Sequence, residues 1–141
     1  MDDLVQFLRD RYGEESERAT AATPGPWTVD SESYAESISS TDGVTVVGGG
    51  RWGGEASVFE STEDALHIAA HHPARVLAEV DAKRRILGTV VPRMNEMDDQ
   101  INSEWGNSYT PVEYESEGLL RLLALPYADH PDYRAEWRPT A

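Results

Sequence analysis

The chain opens with apolar residues at helical intervals. Leu4, Val5, Leu8 and Tyr12 recur on one face, with Phe7 beside them, and predict a helix over residues 2–19. Asp2 and Asp3 stand where the helix dipole favours acids. Gly13 offers a place for a break. The run Ala22-Thr23-Pro24-Gly25-Pro26 ends the helix, because proline removes an N–H and blocks helical geometry before it. The period then changes from helical to alternating. Trp27 and Val29 alternate with polar residues, and Ile38 and the apolar run 44–47 flank Thr41-Asp42-Gly43. Asp-Gly between two such runs is a hairpin signal. Residues 48–54 read as a flexible glycine-rich loop, and Val58 and Phe59 as a last short strand.

Helical spacing returns after residue 60. Ser61 or Thr62 caps the helix, with Glu63 and Asp64 in its first turn. Pro73 ends that helix at His72 and suits the first turn of the next. Val76, Val80 and Leu87 form a buried stripe there, and Glu79 with Lys83 is a favourable i,i+4 pair. Gly88 and Pro92 interrupt this helix: either one long helix kinks at Pro92 or two helices meet there, and the break is the reading favoured. A second pattern follows in Met94, Met97, Ile101 and Trp105, and residues 102–110 read as a loop. Pro111 opens a last helix whose Leu119, Leu120, Leu122, Leu123 and Leu125 point all round, which predicts burial on every side. The fold class expected is α+β: an N-terminal helix, a small antiparallel β-meander, then a C-terminal bundle of three to four helices. The expected organisation is one domain over 1–141, with the helix in 1–22, the meander in 26–60 and the helical part in 61–141. Tyr127, Tyr133 and Trp137 predict that the tail docks on the body, with Trp137 covering the leucine helix or the N-terminal helix.

Composition narrows the chemistry. The 141 residues include no cysteine, which removes disulfides, thiolate catalysis and zinc–thiolate sites and fits a cytoplasmic setting. No secretory signal is expected from an N-terminus carrying Asp2 and Asp3, and no stretch approaches a membrane span. The net charge is −14. Such a surface repels nucleic-acid phosphate and anionic lipid, and suits solubility or a basic protein partner. Arg75, Lys83, Arg84 and Arg85 form one basic patch, too small against that charge for nucleic acid. Between Met94 and Gly118 lie Glu96, Asp98, Asp99, Glu104, Glu113, Glu115 and Glu117, with no Lys or Arg among them. This reads first as a solvated face.

His67 and His71 stand four apart, so one helix face presents both imidazoles. Ala65, Ile68 and Ala69 fall on the other side, which turns the histidines toward solvent or a groove. A divalent metal there would need a distant third ligand, with His130, Asp129 or Asp132 as candidates. The H-E-x-x-H pattern is absent, since position 68 is Ile. The glycine-rich loop lacks the Gly-Lys-Ser/Thr ending of a phosphate cradle. Trp27 and Trp52 offer stacking surfaces for a small ligand, although such aromatics are more often core.

Three segments carry a resemblance: Ala22-Thr-Pro-Gly-Pro-Trp27, residues 64–87 around Pro73-Ala-Arg-Val-Leu, and residues 119–139 around Leu-Pro-Tyr-Ala-Asp-His-Pro. On these the chain resembles a family of small uncharacterised proteins of Streptomyces-like actinobacteria and their phages. The resemblance implies a phage or prophage accessory context and transfers no catalytic residues. His72 departs from an acid usual before the proline, and residues 88–92 depart from a charged helix. The expected function is therefore a non-enzymatic acidic accessory protein that binds a protein partner. Direct nucleic-acid binding, a membrane role and a cofactor are not expected, and the oligomeric state is open. The alternative is a metal-binding module or metal-dependent enzyme using His67, His71 and His130.

Overall fold

A computed structural model describes residues 1–30, 37–48, 62–105 and 114–139. The architecture is α+β, with an N-terminal helix, a three-stranded antiparallel sheet and C-terminal helices. The chain divides into two compact units, residues 14–80 in one and residues 1–13 with 81–141 in the other. Helix α1 (Asp2–Ala21) runs through Gly13 without the expected break. A single glycine in a helix interior costs only about 1 kcal/mol, which the burial of Leu4, Leu8 and Tyr12 on the preceding turns outweighs.

In the unit of residues 14–80, strands β1 (Trp27–Asp30), β2 (Ser37–Ser40) and β3 (Thr45–Val47) form a meander in that order. Val29 stands opposite Ile38, and Ile38 opposite Val47, so apolar residues share one face. Gly43 closes the β2–β3 hairpin at φ 82°, a conformation that glycine adopts without strain. Ser40 and Val44 then pair across the turn, Ser40 N–H donating to the Val44 carbonyl at 2.9 Å. Helix α2 (Thr62–Ala70) covers the apolar face with Ala65 and Ala69, which bury Ile38 completely. Two alanines let the helix axis approach the sheet closely. The buried arc is correspondingly narrow, and Ile68, expected with them, stands 39% exposed. Trp27 is half-buried against the same cluster and donates its indole N–H to the Thr23 carbonyl at 2.9 Å.

Pro73 opens helix α3 (Pro73–Arg85) as expected and is buried. His72 precedes it and acts as a cap, its Nδ1 accepting the Arg75 N–H at 3.3 Å. Arg75 also binds Glu79 at 2.9 Å, and its Nη1 donates to the Ala70 carbonyl that ends α2. Gly25 lies under this junction. A Cβ there would sit 2.5 Å from His72 Nδ1 and 3.1 Å from the Ala74 nitrogen.

The break expected at Gly88 and Pro92 does not occur. Residues Ile86–Val90 form a π turn, and helix α4 (Val91–Trp105) continues from it. Val91 N–H donates to the Ile86 carbonyl five residues back. Pro92 follows this wider turn directly, as the second residue of α4. Helix α4 also takes in residues 102–105, expected as loop. Helix α5 (Glu115–Ala124) returns antiparallel on it: Asn102 Nδ2 donates to the Tyr114 hydroxyl at 3.2 Å, while Ser116 meets Asp98 and Asn95 further back. Leu120 and Ala124 are buried, but Leu122 and Leu125 are 58% and 46% exposed, so α5 is not buried on every side. Helix α4 packs against one face of α5. The strand expected at Val58 and Phe59, the helix start at Pro111 and most of the glycine-rich loop lie outside the described residues.

Asp98 caps α5 from across the hairpin. Its Oδ2 accepts the Ser116 N–H at 3.2 Å and the Ser116 Oγ–H at 2.8 Å, while Tyr114, at the cap position, offers no side-chain bond. Ser116 is fully buried and has one hydroxyl proton, given to the carboxylate. Asn95 Oδ1, 2.6 Å from the same hydroxyl, is a second acceptor within reach of that proton. Asp98→Ala should cost about 2–3 kcal/mol, because it strands a buried N–H and hydroxyl. Urea unfolding with Asp99→Ala as an exposed control checks this, and equal midpoints for the two variants would contradict it. Gly25→Ala should cost about 1–3 kcal/mol through overpacking at His72, and an unchanged midpoint would show that the junction yields.

Candidate functional site

The unit of residues 1–13 and 81–141 holds an open cleft of about 530 Å³. Asp3, Gln6, Phe7, Asp10 and Arg11 line one wall, spaced so that one face of α1 presents them all. Residues 131–134 and Trp137 form the opposite wall. The tail reaches this position through short turns, with 3₁₀ segments at Leu125–Tyr127 and Ala135–Trp137. Phe7 is the hub. Tyr127, His130 and Tyr133 meet it edge-on at 5.8–6.3 Å between ring centres, and Trp137 lies at 5.1 Å. Trp137 is only 8% exposed. The tail is therefore docked, and on the N-terminal helix.

Polar bonds fix the same arrangement. Arg121 on α5 donates through Nη1 to the carbonyls of Glu136 and Arg138, and through Nη2 to Glu117 at 2.8 Å. Arg134 pairs with Asp3 at 2.9 Å and stacks on Trp137 at 5.1 Å. Arg11 is buried. Its guanidinium lies 5.1 Å from the Phe7 ring centre and meets both ring nitrogens of His130, at 2.6 Å for Nδ1. Asp132 closes the group, 3.8 Å from Arg11 and giving its own N–H to His130 Nδ1. A guanidinium only donates, so the imidazole serves it as an acceptor.

The three histidines of the sequence-based proposal thus have distinct surroundings. His130 belongs to the unit of residues 1–13 and 81–141, where Arg11 and the Asp132 N–H both meet its Nδ1. His67 and His71 belong to the other unit and are exposed. Their rings lie 4.3 Å apart, and His71 Nδ1 bonds to the His67 carbonyl at 2.7 Å. A carbonyl only accepts, so His71 Nδ1 carries the proton and its Nε2 keeps the lone pair. Among the described residues, no three His, Asp or Glu side chains gather as a group that could hold a metal ion. Asp129, the other proposed ligand, is exposed.

The cleft's charges are largely answered within it. Asp3 meets Arg134, Asp10 accepts from Gln6 at 2.8 Å, and Asp132 faces Arg11. Paired charges over an aromatic floor hold the tail in place on α1. A different surface breaks the usual pattern of a charged chain. Val90, Met97 and Ile101 are 44%, 62% and 52% exposed, and Met94 between them is half-buried. Helical spacing puts them on one stripe of α4. Met94, Met97 and Ile101 belong to the helical pattern read in the sequence, and periodicity marks an apolar face without saying what covers it. The sequence from Met94 to Gly118 holds seven acids and no base, and Arg93 directly precedes it.

The family model "Family of unknown function (DUF6221)" matches residues 1–139, and the chain belongs to that family. No curated protein and no solved structure matches the chain significantly. Among the described residues no helix is long and apolar enough to cross a membrane.

The docked tail sets the stability of its unit. Trp137→Ala should cost about 3 kcal/mol or more through the cavity beside Phe7, and Arg121→Ala should cost less. Thermal melting by near-UV circular dichroism checks both. A tail that is a free arm would leave the melting temperature of both variants, and of a truncation after Leu125, unchanged.

Proposed function

We propose that this DUF6221 protein is a non-enzymatic, acidic accessory protein that works by binding another protein. The observation that supports the reading best is the exposed apolar stripe on α4 in a chain of net charge −14. Large contiguous apolar surface on a highly charged protein marks an interaction site more often than it marks chance. The charge selects partners that are basic and disfavours nucleic acid and anionic lipid. The sequence resemblance adds the setting: a phage or prophage of an actinobacterium, with the protein in the cytoplasm. Affinity capture from such a host's lysate at low salt, repeated at high salt, tests the reading. A protein partner lost as salt rises is the expected result, and no partner at either salt would overturn it.

A metal-binding module using the His67 and His71 pair is the second reading. One observation favours it: the His71 Nδ1 bond to the His67 carbonyl, an arrangement that orients an imidazole for a metal at Nε2. Metal analysis of protein purified without a histidine tag, with a thermal shift on adding zinc or nickel, tests this. A stoichiometric ion lost in His67→Ala or His71→Ala supports it, and substoichiometric metal with no shift removes it.

A further inference from the structure

The turn that ends helix α2 holds His71 by two bonds. Its backbone N–H donates to the Ile68 carbonyl at 3.1 Å, and its Nδ1–H donates to the His67 carbonyl at 2.7 Å. The residue is thus fixed at its root and at one edge of its ring, and Nε2 is the nitrogen left with a lone pair. His67 stands one turn back on the same side of the helix. Ala65 and Ala69 take the opposite side and bury it on Ile38 of the sheet. Both histidines are exposed, so an ion that reaches them strips no buried group of its partners. His72, next in the chain, is committed to the Arg75 N–H.

The spacing of the two rings selects the ion. A metal about 2.0–2.1 Å from an imidazole nitrogen lies about 3.2 Å from the ring centre. Two imidazoles at a right angle about such a metal have centres about 4.5 Å apart, against about 5.2 Å at the tetrahedral angle. The His67 and His71 centres are 4.3 Å apart. The pair therefore matches the right angle of a tetragonal ion more closely than the wider opening of a tetrahedral one. Among the described residues no third His, Asp or Glu joins the pair, and the chain has no cysteine. A closed zinc centre takes its full set of ligands from the protein, and a catalytic one takes three. Two imidazoles with open positions suit an ion that holds nitrogen strongly and keeps water on its other sides. Copper(II) leads that order and nickel(II) follows, whereas magnesium and calcium seek oxygen ligands.

Resting on the metal-binding reading above, we propose that His67 and His71 form an open, two-imidazole site for a tetragonal divalent ion, copper(II) first and nickel(II) next, with water on the remaining positions. His71 binds through Nε2, and its Nδ1–H stays on the His67 carbonyl as the bond that aims the ring.

The probe is the metal chloride itself, titrated into the full chain carrying no histidine tag, after EDTA and dialysis. Calorimetry compares Cu²⁺, Ni²⁺, Zn²⁺, Mg²⁺ and Ca²⁺, and electron paramagnetic resonance reads the copper geometry. The expected result is one Cu²⁺ per chain, held about tenfold or more tightly than Ni²⁺, with Ni²⁺ tighter than Zn²⁺ and no uptake of Mg²⁺ or Ca²⁺. The copper spectrum should be axial, with splitting from two nitrogens. His67→Ala and His71→Ala should each weaken Cu²⁺ about tenfold or more, while His130→Ala binds like the parent. Both positions are exposed, so the metal-free variants should melt like the parent. Copper held as tightly by His67→Ala and His71→Ala as by the parent overturns the proposal, since the ligands then lie elsewhere. Zinc held more tightly than nickel also overturns it, because a further ligand then closes the site tetrahedrally. If His67→Ala or His71→Ala loses that zinc, the metal-binding reading stands without the open site. A chain that takes up no ion in stoichiometric amount brings down both.

Discussion

The contact of Trp137 with Phe7 is what the unit of residues 1–13 and 81–141 is built around. It joins the two ends of the chain, which sequence places far apart. Closing so long a loop costs chain entropy, and only a large buried surface can offset it. Phe7 gathers Tyr127, His130, Tyr133 and Trp137, and each ring presents an edge or a tilted face to it. The Arg121 bonds to the Glu136 and Arg138 carbonyls act on the same few residues. They satisfy backbone acceptors that a turn-rich tail cannot satisfy for itself. Apolar burial gives the tail its reason to dock, and the arginine gives it one place to do so.

Much of the fold was legible where a local rule acts alone. Asp42-Gly43 marked its hairpin because only glycine takes that φ cheaply. Pro73 marked a helix start because the missing N–H is harmless there. The aromatics of the tail marked docking because their exposure would be costly. Errors fall where the deciding partner is remote. Pro92 reads as a break until the π turn before it is known. The leucines of α5 read as buried all round, yet their environment depends on how many neighbours arrive. His72 carries a metal-ligand side chain, and its local task is to accept the Arg75 N–H.

The candidate surface was half-legible in the same sense. Met94, Met97 and Ile101 stood out by spacing, and the acids between them stood out by sign. Periodicity identifies a face that wants cover, and a core and an interface want it equally. Asp98 shows the converse. It sat in an acidic run that reads as solvated, whereas it caps α5 and binds buried Ser116. Nothing in its neighbours distinguishes it from Asp99, because the hydroxyl it holds lies in another helix.

The π turn at Ile86–Val90 sets the angular phase of everything after it. One extra residue in a turn rotates the following helix by about 100° relative to an uninterrupted α-helix. With ordinary helical winding at residues 86–90, the face of α4 that carries Val91 and Asp98 would stand about 100° round from its place relative to the helix before it. A single-residue insertion thus works as a dial. It decides which side of α4 faces the hairpin and which side is offered outward, without changing any residue on either.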